Sequence, residues 1–119
     1  MTADELCALI FEVAEKTPEI GVLEESRKWG EQSFTPVRRN IGSSVRIQPR
    51  GNGDVALMFI CHTNLVDEFR TLYPDMLSYE GNRAIVLSGE EANDRAALSH
   101  CIGLALTYKL RKRQRTRPT

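Results

Sequence analysis

The sequence predicts an α+β domain: an antiparallel sheet of about five strands, with the N- and C-terminal helices packed on one of its faces. Three observations carry this. Both ends of the chain read as amphipathic helices, which need a surface to cover. The middle holds short apolar or alternating segments joined by Gly- and Asn-bearing turns, and strands joined by tight turns run antiparallel. A length of 119 residues suits one domain and is enough to bury a real core.

The first helix is expected from about Ala3 to Lys16, with Thr2 and Glu5 as a Thr-x-x-Glu capping box. Leu6, Leu9, Ile10 and Val13 recur at i, i+3, i+4 and i+7, while Asp4, Glu5, Glu12 and Glu15 take the outer face. Pro18 ends the helix. Ile20–Trp29, bracketed by Gly21 and Gly30, reads as a second, short helix. Ser33–Val37 reads as an edge strand closed by Pro36. Ser44–Gln48 alternates, Arg50–Asp54 is loop chemistry and Val55–Cys61 is continuously apolar, so together they make a hairpin.

A helix follows from Asn64, capped by Thr63 or Asn64, with Leu65, Val66, Phe69, Leu72 and Tyr73 on one face and Pro74 as its stop. Met76–Glu80 and Arg83–Leu87 form a second hairpin about Gly81-Asn82, where Gly at the first central position suits a type II′ turn. The last helix is expected from Gly89 to Arg111, with Ser88 and Glu91 as a second capping box. Its apolar arc holds Ala97, Leu98, Cys101, Ile102, Leu104, Ala105, Leu106 and Tyr108, and its polar arc holds Asn93, Ser99, His100 and Thr107. Residues 1–112 make one domain, and 113–119 read as a basic, disordered tail.

Composition bounds the function. The longest apolar run, Val55–Cys61, is seven residues, against the ~20 needed to span a bilayer. No membrane role is expected, and the absence of a charged-then-apolar leader points to the cytoplasm. Cys7, Cys61 and Cys101 are far apart and form no CxxC, so they read as small buried hydrophobes of a reducing compartment. The net charge is zero, but six of sixteen basic residues lie in Lys109–Thr119, leaving residues 1–108 with ten basic against sixteen acidic groups. Such an acidic body repels nucleic acid, leaving the basic tail as the segment able to contact it or an acidic protein.

Five segments occur in order: RKWGEQS, TNLVDEF, LYPD, EGNRA and HCIGLALTY. Together they resemble the YdhG-like domain family (domain of unknown function 1801), a bacterial family without an assigned function, over roughly Leu6 to Lys112. The resemblance implies a frataxin-like sandwich, a curved antiparallel sheet with the terminal helices on one side. It brings no catalytic motif.

Three constellations are candidates for chemistry. Trp29 and Arg83 sit in the family-like RKWG and EGNRA segments. With Thr63 and Asn64 at a helix N-terminus they would make a ligand-binding pocket for a small anion, in which a guanidinium fork and backbone N–H groups meet a carboxylate or phosphate. The frataxin-like architecture implies an alternative, iron or another metal held by the acidic first-helix residues Asp4, Glu5, Glu12 and Glu15, equivalent by position on the helix rather than by motif. Cys61-His62 and His100-Cys101 are the third, but neighbouring side chains diverge, so at most one of each pair reaches a common point. No Ser/His/acid order, P-loop, GxGxxG or HExxH occurs. The expected function is therefore a non-enzymatic small-ligand-binding or chaperone-like module without a cofactor, as a monomer or a homodimer paired through an edge strand.

Overall fold

The computed structural model describes residues 1–28, 30–60, 63–88 and 94–116. Trp29, Cys61, His62, Glu91 and the last three residues lie outside that set. The described elements run α1 (Ala3–Lys16), β1 (Leu23–Lys28), β2 (Glu31–Pro36), β3 (Val45–Pro49), β4 (Val55–Phe59), α2 (Leu65–Leu72), β5 (Ser78–Glu80), β6 (Ala84–Leu87), α3 (Arg95–Leu106) and α4 (Tyr108–Thr116). All strand pairs are antiparallel, in the order β1-β2-β3-β4-β6-β5. The fold is α+β as the sequence predicts, with six described strands rather than five.

The extra strand corrects the helix expected at Ile20–Trp29. β1 has helix-favouring residues, LEESRK, yet all six pair with β2, from Leu23↔Pro36 to Lys28↔Glu31. Ladder bonds and a half-covered position override weak local propensity. The pairing also makes β2 interior, between β1 and β3, so the edge expected at Ser33–Val37 is instead β1, whose charged composition discourages further strands from adding on.

Strand alternation sorts the sheet into two faces. Phe34, Val45, Ile47, Val55, Leu57, Phe59, Ile85 and Leu87 turn toward the helices and join one core with Leu6, Leu9 and Ile10 of α1, Leu65 and Phe69 of α2, and Leu98 and Ile102 of α3. Phe11 packs edge-on to Phe34, with ring centroids 5.5 Å apart, and Phe59 does so to Phe69 at 4.9 Å. The opposite face carries a small cluster of Ala56, Met58 and Ala84. Beside it Glu31 is bridged by Arg46 at 3.3 Å and by Gln48 at 2.8 Å.

The Thr2–Glu5 capping box forms in both directions, Glu5 N donating to Thr2 Oγ1 at 3.1 Å and that hydroxyl to Glu5 Oε1 at 3.2 Å. The second expected box, Ser88 with Glu91, falls partly outside the described residues. α3 starts at Arg95 with Asp94 as its cap, the carboxylate accepting from Ala97 N at 2.8 Å. The Ser88 carbonyl accepts from the N-terminal ammonium at 2.9 Å.

The last helix does not run unbroken to Arg111. The β2–β3 loop passes against it, and Gly42 lies so close that a Cβ there would sit 1.9 Å from the Leu106 carbonyl oxygen. Ser43 N donates to Ala105 O, and Leu110 N, which a continuous helix would aim at Leu106, donates to Ile41 O, both at 2.9 Å. The loop thus splits the ladder into α3 and α4. Residues 113–116 of the basic tail, expected to be disordered, belong to α4.

Candidate functional site

Three of the four expected anion-pocket residues share one end of the sheet. Phe59 N donates to Arg83 O at 2.6 Å, and the Thr63 hydroxyl donates to Ile60 O at the same distance, just past β4. The hairpin that Lys28 and Glu31 close lies at the other end, since Gln32 pairs with Ile47 and Pro49 with Val55. Register therefore sets the chain neighbours of Trp29 apart from Thr63, Asn64 and Arg83, and Trp29 itself lies outside the described residues.

Of the remaining three, the Thr63 side chain is engaged locally. Thr63 is only 5% exposed, and its hydroxyl also accepts from Leu65 N at 3.4 Å. Asn64 is left-handed, φ 61°, and makes no side-chain cap bond, so the cap falls to Thr63. The β5–β6 turn is closed by Arg83 N on Glu80 O at 3.4 Å, but pairing resumes only at Glu80↔Ala84, leaving three residues in the loop rather than two. Glu80 is gripped by Arg50 through two bonds of 2.9 and 3.0 Å.

The acidic helix face is no better assembled for a cation. Asp4, Glu5 and Glu15 are exposed. Glu12 is held by Lys16 and by Arg95 of α3, each at 2.7 Å, and those two hydrogen bonds hold its carboxyl below the usual range. Among the described residues no three of His, Cys, Asp and Glu converge on one point. Burial pushes the Cys101 thiol up to about 12 and raises that of Cys7, so neither offers a ready thiolate.

The structure instead opens a cleft of about 460 Å³ between the C-terminal half of α1 and the outer side of α3. Its floor is Val13, Gly103 and Leu104. Gly103 is what creates the space, since a Cβ at that position would lie 3.6 Å from Val13 Cγ1. The rim is polar and carries both signs: Glu12, Lys16 and Glu19 on one side, Ser99, His100 and Thr107 on the other. The Glu12–Arg95 bridge ties the two walls together.

His100 is positioned by a second contact. Its Nδ1 and the Tyr73 hydroxyl are 2.6 Å apart, and the rings meet edge-on at 88° with centroids 5.7 Å apart. Tyr73 is set in turn by the end of α2, where the Tyr79 hydroxyl donates to the Tyr73 and Phe69 carbonyls at 2.7 and 2.9 Å. Tyr73 thus engages Nδ1 of the ring and not Nε2.

The sequence assigned Ser99, His100 and Thr107 to the polar arc of the last helix but gave no sign that α1 faces them. The legible signal was Gly103 beside Leu104, a small position in an otherwise well-filled helix. No family model, curated protein or solved structure matches this chain.

Proposed function

We propose that the protein is a non-enzymatic small-ligand-binding module of YdhG-like type acting in the cytoplasm, and that its ligand occupies the α1–α3 cleft. The observation that carries this is the combination of an apolar floor with a two-sign polar rim in a volume of about 460 Å³, within the range of small-molecule sites. Glu12, Lys16 and Glu19 on the α1 side bring both signs of charge opposite the hydrogen-bonding groups of Ser99, His100 and Thr107, which favours a zwitterionic or uncharged head group over a simple anion. The apolar floor takes the body of the ligand. Catalysis is not favoured, because Ser99 and His100 are helix neighbours diverging by about 100° and His100 Nδ1 is committed to a tyrosine rather than an acid. The metal alternative draws no support from Glu12, whose oxygens are taken by two cations.

The test is a ¹H–¹⁵N correlation spectrum titrated with small amphipathic fragments, free amino acids among them. Shifts should concentrate at Val13, Lys16, Ser99, His100 and Gly103, and G103L, which fills the floor, should remove them while the protein stays folded. Shifts that survive G103L, or that cluster at Thr63 and Arg83, would overturn the assignment.

A further inference from the structure

The split between α3 and α4 brings together two basic segments far apart in sequence. The Leu110 N to Ile41 O bond of 2.9 Å pins α4 to the β2–β3 loop. The loop carries Arg38, Arg39 and Asn40, all exposed, and α4 carries Lys109, Lys112 and Arg113, also exposed. Asn40 is left-handed, φ 62°, which turns the loop back toward the helix. Asn40, Lys109, Lys112 and Arg113 line a depression of about 250 Å³ with no acid among them. Lys109, Lys112 and Arg113 share one helix side at i, i+3 and i+4. Arg38 extends the patch toward Gly21, its Nε 3.6 Å from where a Cβ of that glycine would sit.

We infer that this loop–helix patch is a phosphate-backbone site for duplex nucleic acid. Its recognition chemistry is charge and hydrogen-bond donation, which binds phosphates without reading sequence. Single strands are disfavoured because none of the five basic side chains is accompanied by an exposed aromatic to stack bases upon. A lipid surface is disfavoured because the apolar residues of α4, Tyr108 and Leu110, are partly buried toward the protein, leaving no outward apolar stripe. The site shares no lining residue with the α1–α3 cleft, so the two assignments stand or fall separately.

Fluorescence anisotropy of the full chain with a labelled duplex of about two helical turns tests it. Binding is expected at low salt, weakening about 100-fold or more between about 50 and 200 mM as four to five phosphates are released to counterions. K109E and R39E should each weaken binding and lower the salt slope by about one. R27E, an equal charge change on exposed β1, should leave both unchanged. No binding at low salt, an equal loss in R27E, binding indifferent to salt, tighter binding to a single strand, or preference for phosphatidylserine vesicles would each overturn the inference.

Discussion

Gly42 and Gly103 are both glycines with ordinary backbone angles, and their substitution should have opposite signs. At Gly103 a methyl meets only Val13 Cγ1 at 3.6 Å, an ordinary contact inside a helix. G103A should stabilise the protein by about 0.5–1 kcal/mol, because alanine is the better helix former and restricts the unfolded chain. At Gly42 the methyl meets Leu106 backbone at 1.9 Å, and neither the loop nor the helix end can retreat without losing the Ser43–Ala105 bond. G42A should cost about 3 kcal/mol, measured for both variants by urea unfolding monitored at the Tyr and Trp signals. Nothing local separates these two glycines in the sequence. One faces open cleft and the other a carbonyl from a helix over sixty positions away, and that distinction exists only after folding. Leu6, Ile10, Leu98 and Ile102, by contrast, are legible residue by residue, because helical periodicity alone sends them inward and all four are fully buried.

Among the elements, those whose pattern and propensity agree were readable and those where they conflict were not. α1, β3, β4 and α2 fall within a few residues of expectation. β1 is the failure: Leu, Glu, Arg and Lys favour a helix locally, and only the partner strand makes them extended. For the last helix the described α3 begins at Arg95 with Asp94 as its cap, while residues 89–93, where the expected start falls, lie outside the described set. D94A should therefore cost about 1 kcal/mol, read as a lowered thermal midpoint. The expected four-residue pocket is only partly described, since Trp29 lies outside the described residues. Thr63 and Arg83 do meet the end of β4, but the hairpin at Lys28–Glu31 is carried to the other end by the register of three strand pairs, which no spacing in the sequence records.

At the scale of the whole molecule, the ion pairs and buried phenol bracket the pH range in which the fold is stable. Glu12 and Glu80 have carboxyls held below their ordinary value of 4.5, chiefly by hydrogen bonds from Lys16 and Arg95 and from Arg50. The Arg50 guanidinium is raised in turn by its bond to Glu80, so both partners of that pair agree in direction. A depressed acid stabilises the fold above its unfolded pKa, and that contribution is lost as pH falls below about 4.5 and through the folded value. Tyr79 works at the other limit. Burial pushes its hydroxyl from 10.0 up to about 12 while it donates to the end of α2. A raised phenol contributes fully below pH 10 and loses its contribution as pH climbs from 10 toward 12, because the unfolded chain ionises first. Thermal melts from pH 3 to pH 11 should then show an acid limb that E80Q flattens and an alkaline limb that Y79F flattens, each variant leaving the opposite limb in place. The two limbs differ in reach. Arg50–Glu80 spans the β3–β4 connection and β5, with Glu80 exposed and Arg50 half-buried, so its loss should scale down with added salt, whereas the Tyr79 limb, set by burial and carbonyls, should not. An alkaline limb unchanged in Y79F, or an acid limb indifferent to salt, would show that other groups set the pH range of this fold.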